Sequence, residues 1–411
     1  MAATDHDVVI VGGGPAGMMC GLLLARAGVA VTVLEKHGDF LRDFRGDTVH
    51  PSTLELFHQL GWLEELLALP HSRIDEISLR MAGRAWRVVS FRGLPVAAPY
   101  IAMMPQWDLL DFIAGKARRY PGFTLRMEAE AVGLAYDRAG RVSGVRLASG
   151  EVVPARLVIA ADGRRSVLRE RAELPLARIG APMDVFWFRL PKPAGREALD
   201  ETFGVIEAGR MVVMIDRREY FQCASLLPKG GAERVRARGL DDFRAGLRRM
   251  LPDLAAEVAT IRDWDQVKLL DVALDRLTRW HRPGLLAIGD AAHAMSPVGG
   301  VGINVAVQDA VATANVLAAP LARGDDPDPL LPRICERRWR AVTRMQALQK
   351  FAQDRVIAPV LTRREPIRKP FWPIRLLDAV PLLRRLPGRV VGLGFGRERI
   401  ESPAAYPDRD R

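Results

Sequence analysis

Two apolar stretches organise the chain. Val8–Val11 is a short β-branched run, which predicts a strand buried on both faces. After Gly12-Gly13-Gly14 an apolar helix is expected from Pro15 to Ala27, closed by Gly28. Val29–Leu34 repeats the buried-strand pattern, so the three elements read as the start of a βαβ unit. The second stretch, "LLAIGDAAHAMSPVGGVGINVAVQDA", runs from Leu285 to Ala310 and holds no Lys, Arg, Asp or Glu between Asp290 and Asp309. Its buried strand, Leu285–Ile288, gives way to a glycine-rich loop, Pro297 to Gly302, and then to a helix with almost no charge.

Other patterns fill the interval. A helix is expected after Pro51, with Ser52 as its cap. Alternation over Ile77–Arg92 predicts a hairpin, and Gln106–Tyr120 reads as a helix. A meander from Val132 leads into a buried strand, Leu157–Ala161. From Met183 to Leu227 the strand-like runs alternate or carry aromatics, as an antiparallel sheet separate from the parallel one would. A helix follows at Leu240–Met250, and helices continue from the apolar stretch to about Asp354. The tail from Arg363 is rich in Pro, Arg and Leu, a composition compatible with a basic membrane-surface segment. Its closely spaced prolines favour a helical arm packed on the body.

The expected architecture is α/β. A doubly wound, Rossmann-like nucleotide-binding domain is assembled from residues 1–76, 98–178 and 265–340. An antiparallel domain is inserted as a hairpin at 77–97 and a larger piece at 179–264, and a helical arm spans 341–411. Length supports this division: 411 residues exceed one ordinary core. Composition is globular, with 49% hydrophobic and 27% charged residues. The net charge of +11 is spread along the chain without an aromatic-interleaved basic patch, which argues against a nucleic-acid partner. Cys20, Cys223 and Cys335 are odd in number and far apart, which suggests a reducing compartment and no metal site. The N-terminus is acidic before its apolar run, unlike a secretory signal, so a cytoplasmic location is expected.

Three segments carry chemistry. Gly12-Gly13-Gly14-Pro15-Ala16-Gly17 is a GxGxxG between strand and helix. There Gly12 permits the turn, Gly14 lets backbone approach a pyrophosphate, and Gly17 allows close helix packing. Glu35 ends the next strand 18 residues beyond Gly17, near the spacing at which an acid accepts from a ribose hydroxyl. In "LVIAADGRRSVLRE" a buried strand ends in Asp162-Gly163. The third strand ends in Gly289-Asp290 before the glycine loop, whose backbone N–H groups and helix start suit an anion or a polar ring edge.

In this order the three segments resemble the single-component FAD-dependent aromatic hydroxylases, the class A flavoprotein monooxygenases with the p-hydroxybenzoate hydroxylase fold, from about Asp7 to Ala319. The resemblance implies that Gly12, Gly14 and Gly17 hold the FAD pyrophosphate and Glu35 the adenosine ribose. It implies that Arg45 lies near the flavin, Gln106 contacts the cofactor, Asp162 touches both FAD and a transient NADH or NADPH, and Asp290 meets the ribityl chain. Pro297 would sit by the ring, and backbone of Gly302, Ile303 and Asn304 would bind its pyrimidine oxygen. The activity implied is hydroxylation of an aromatic or polyketide-like small molecule with O2, through a flavin C4a-hydroperoxide. A reductase of a prenyl lipid and a non-catalytic escort share the fold and stand as alternatives. The tryptophan-rich motif of flavin halogenases is absent. No substrate base is identified; Tyr220, His50 and His293 are the candidates. Phe186, Trp187, Phe188 and Phe221 are candidate pocket aromatics, with plain core as the competing role.

Overall fold

The computed structural model describes residues 7–41, 47–193, 202–217 and 219–409. Its main helices are α1 (Pro15–Arg26), α2 (Pro51–Gln59), α3 (Gln106–Ala117), α4 (Leu240–Met250), α5 (Gly302–Ala322), α6 (Leu331–Ala352) and α7 (Ala358–Thr362). A six-stranded sheet runs in the order 281–282, 285–287, 157–160, 8–11, 31–34, 123–126, and all its pairings but the outermost first are parallel. Parallel strands put their carboxyl ends on one edge. The loops that follow Val11, Leu34, Ala160 and Ala287 therefore meet there, although the sequence separates them widely.

The core explains the uncharged helix. α5 packs against α1, and α1 against α3, while the four inner strands are wholly buried. α5 is long and apolar enough to cross a membrane, yet 72% of its most apolar window lies inside the protein. A charge on that surface would be desolvated without a partner, so composition there reports burial.

The second sheet has seven strands in the order 268–270, 183–191, 220–228, 210–216, 202–207, 76–81, 84–90. It is antiparallel except where 202–207 meets 76–81. The hairpin at Glu76–Ser90 thus joins strands more than a hundred residues later in the chain. One face is covered by α4 and its neighbours, with Phe186, Phe188 and Phe221 packed on Phe243 and Leu247. The other face meets Val298 of the glycine loop and Leu361 of α7.

Two local expectations differ from the structure. Ser52 does not cap α2: His50 occupies that position and Pro51 is the first helical residue, so the missing proline N–H leaves one donor fewer to cap. The C-terminal arm, with a single later 3-10 turn at Pro407–Arg409, is α-helical only to Leu393. Beyond it an irregular strap recrosses the parallel-sheet unit, held by Arg338 to the Gly396 carbonyl at 3.0 Å, by Asn315 to Glu401 and Ser402, and by Ala405 to the Arg26 carbonyl at 2.9 Å.

Candidate active site

The glycine motif is built from three different constraints. Gly12 has φ +109°, and a side chain there would lie 2.3 Å from the Ala161 carbonyl oxygen. At Gly17 it would meet the Gly12 carbonyl at 2.0 Å. At Gly14, the N-cap of α1, it would meet nothing within 4 Å. Only the middle glycine therefore faces open space, in front of a helix start with no side-chain cap. That is the geometry an anion needs: free N–H groups, the positive end of the helix dipole, and room. Glu35 is buried beside it, accepting from the Gly13 N–H at 2.9 Å and the His37 N–H at 3.1 Å, which fixes the carboxylate next to the turn.

Asp162 and Asp290 end neighbouring parallel strands. Asp162 has one buried carboxylate oxygen without a hydrogen-bond partner; the other accepts from the Leu168 N–H at 3.3 Å. Burial raises its pKa, although hydrogen bonds from Ser166 and nearby N–H groups pull the other way. An acceptor left in this state suits a ligand hydroxyl. Asp290 pairs with Arg164 at 3.1 Å, and Arg169 donates to the Ala291 carbonyl at 3.2 Å. The arginines after Asp162-Gly163 thus bind the two strand ends together, a role the sequence did not reveal.

The glycine loop closes the site. Gly299 and Gly300 both have positive φ, and a side chain at Gly300 would strike Thr48, whose hydroxyl donates to the Gly300 carbonyl at 2.6 Å. α5 then begins without a side-chain cap, leaving its first N–H groups free. Asn304 contributes more than backbone. Its side-chain oxygen accepts from the His50 N–H at 2.9 Å and the Thr53 hydroxyl at 2.7 Å, and its amide donates to Thr48. Gln106 starts α3, and its N–H donates to Asp47 at 3.0 Å. Pro297 sits in the loop next to Val298. Arg45 lies outside the described residues.

The loop is held from behind by side chains that sequence reading missed. Gln349 of α6 donates to the Ser296 and Val298 carbonyls, both at 2.9 Å, and accepts from the Ser296 N–H at 3.1 Å. Gln346 donates to Asp275 and Ala294, and Gln353, in a π-helical turn at Gln353–Ile357, donates to the Ser296 hydroxyl. Glutamines at this spacing share one helical face, but nothing local says which carbonyls that face meets.

The three base candidates separate. His293 is buried, stacks on Trp280 and holds Asp309 at 2.6 Å. Asp309 also accepts from Arg338 at 2.8 Å and the Gly289 N–H at 3.1 Å. Burial alone would raise the Asp309 pKa, but the charges and hydrogen bonds of His293 and Arg338 hold it below the ordinary value. His293 is thus committed to a structural cluster inside the fold. His50 is fully buried with Nδ1 2.8 Å from the Val391 carbonyl, and burial lowers its pKa to about 4, so it is neutral at pH 7. Tyr220 lies on the sheet face turned to the glycine loop, with Arg189 over its ring. Of the four aromatics only Trp187 shares that face; strand alternation turns Phe186, Phe188 and Phe221 into the opposite core.

Comparison with known proteins agrees with this geometry. A family described as FAD binding domain matches residues 5–348. The 6-methylpretetramide 4-monooxygenase of Streptomyces rimosus is 35% identical over 354 residues, covering 84% of this chain and 83% of that protein. Two solved structures share the fold at lower identity. PqsL of P. aeruginosa, solved in complex with 2-aminobenzoylacetate, has a TM-score of 0.73 at 21% identity over 86% of this chain and 98% of its own. The Diels-Alderase PyrE3 has a TM-score of 0.69 at 23% identity over 97% of this chain and 82% of its own.

Proposed function

The chain belongs to the FAD binding domain family, and from that premise we propose that it hydroxylates a polycyclic aromatic, polyketide-like small molecule. It is an FAD-dependent monooxygenase that uses NAD(P)H and O2. One observation supports the site assignment above the others. The open Gly14 N-cap, Glu35, the unpartnered oxygen of Asp162, and Asp290 all meet at the carboxyl edge of one parallel sheet.

These residues fit FAD. The α1 N–H groups would hold its pyrophosphate, Glu35 its adenosine ribose, and Asp162 and Asp290 hydroxyls along the connecting chain. FAD held there would supply the redox chemistry that couples NAD(P)H oxidation to insertion of one atom of O2 into the substrate. The protein's share is positional. The free N–H groups at Gly302–Asn304 and the α5 dipole favour negative charge at a ring edge. Gln349 fixes the loop that presents them. Val298, Trp187 and Val213 form an apolar wall that excludes water. We take the six-stranded sheet as the core of a doubly wound nucleotide-binding domain, and the seven-stranded sheet as the substrate-binding insertion. We place the enzyme in the cytoplasm, where NAD(P)H is supplied.

The purified protein is expected to show a flavin spectrum and to oxidise NAD(P)H with matching O2 uptake when a polycyclic phenol is added, giving a product one oxygen heavier. Flavin reduction with saturation of a lipid double bond and no O2 uptake would replace this reading with the prenyl reductase. A colourless protein with no affinity for FAD would leave the escort.

A further inference from the structure

The sheet face turned to the glycine loop holds a set of hydrogen-bond donors with nothing to bind. Cross-strand register defines three rungs. Arg217 stands opposite Tyr220; Gln222 lies between Ile215 and Arg189; Ala224 lies between Val213 and Trp187. Opposed residues point to the same side, so Arg217, Gln222 and Trp187 share one face and lie on adjacent rungs. On this face Arg217 Nε and Nη1, Gln222 Nε2 and Trp187 Nε1 are all buried without a hydrogen-bond partner.

Every one of these atoms is a donor. Buried donors are normally satisfied, and several unsatisfied together on one surface point to acceptors supplied by something that binds there. Arg217 is anchored on its other side. It pairs with Asp47, whose second oxygen receives the Gln106 N–H at 3.0 Å. Burial lowers its pKa to about 10, so it remains charged at neutral pH. The other charged or titratable groups about this face are Arg189 and Tyr220 on the adjoining strands, the Lys192–Asp216 pair at the strand ends, and neutral His50 beyond the loop. Asp47 pairs with Arg217, and Asp216 with Lys192. Of the base candidates, His50 is neutral and enclosed and His293 is bound to Asp309, while Tyr220 stands on this face opposite Arg217.

We propose that Arg217, Gln222 and Trp187 form an oxyanion-binding subsite, which takes a hydroxylated polycyclic substrate through a phenol oxygen and its neighbouring carbonyl and holds it ionised. The subsite rests on the monooxygenase reading and deepens it. Arg217 stabilises the phenolate by charge, and the two neutral donors orient it. An ionised phenol is the electron-rich form that accepts oxygen, so stabilising the anion lowers the phenol pKa and favours that form. The phenol proton leaves to solvent. Substrates without an acidic hydroxyl beside a carbonyl are bound weakly.

The test uses 1,8-dihydroxyanthraquinone, which is yellow when neutral and red when ionised, titrated into the FAD holoenzyme near pH 7. The wild-type protein is expected to turn the dye red, beyond the flavin absorption, at a pH where the free dye stays yellow. Gln222→Met, which keeps volume and removes the donor, should weaken binding about 10-fold. Arg217→Gln should weaken it about 100-fold and leave any bound dye yellow. Because Arg217→Gln strands Asp47, the pair Asp47→Asn with Arg217→Gln provides a second variant, with the same expected loss and with FAD content as the check on folding. Dye bound yellow by the wild type, dye left unbound, or binding unchanged in both Gln222→Met and Arg217→Gln would each overturn the subsite. Failure of the monooxygenase reading is seen separately, as absent flavin or absent O2-coupled NAD(P)H oxidation, while the dye's colour is still readable on the protein.

Discussion

Removing His50 should change how stability depends on pH. Its ring is fully buried, and burial takes its pKa from 6.5 to about 4, with the Val391 and Gly300 carbonyls opposing that shift only in part. The folded value lies below the unfolded one, so the contribution is complete above pH 6.5 and is lost as pH falls towards 4. A shift of this size corresponds to about 3.4 kcal/mol in full. Between pH 7 and pH 5 the unfolded chain takes up most of a proton at this site and the folded chain almost none, so the wild type loses about 2 kcal/mol there. His50→Gln does not titrate, and its amide can still donate towards the Val391 carbonyl. Urea unfolding of both proteins at saturating FAD, at pH 7, 6 and 5, should show the wild type's stability falling faster, by about 2 kcal/mol over the range. Parallel curves would mean that the ring is hydrated or already charged in the folded protein, and the reasoning would fail.

Other substitutions separate folding from binding. Gly14→Val should leave the fold intact, because its side chain meets nothing within 4 Å, yet abolish FAD binding in a fluorescence titration. Gly12→Val should instead destabilise the apoprotein in thermal unfolding, since φ +109° and the Ala161 carbonyl at 2.3 Å both exclude a side chain. Asp290→Ala is expected to lose FAD on dialysis; full occupancy in that variant would remove Asp290 from the site. Gln349→Met leaves buried polar groups of Ser296 and Val298 unpaired, which should cost about 3 kcal/mol by denaturant unfolding and loosen the flavin loop.

Much was legible along the chain because it depends on neighbours in sequence. The Gly12–Gly17 turn and α1 are legible within a dozen residues, since a buried strand, a glycine turn and a helix start are local events, whereas Glu35, Asp162 and Asp290 stood out through the spacing and order of separate segments. The uncharged run likewise marked a buried strand, a glycine loop and the start of α5; that the helix is closed in by protein is seen only in the structure. Alternation located the strands of the second sheet but not their faces. A period of two says that Phe186 and Trp187 point opposite ways, and only the pairing with 220–228 and the cover of α4 decide which one meets the loop. The partners of polar side chains were decided at the tertiary level too. Gln349 with Ser296, Asp309 with Arg338, and Arg217 with Asp47 join segments brought together by chain crossings, and hydrogen-bonding capacity alone does not say across which gap it is used. The sequence therefore determined which elements form and which segments carry a dinucleotide-type motif. Tertiary packing decided which side chains of the second sheet face the glycine loop, because that depends on what lies opposite each strand.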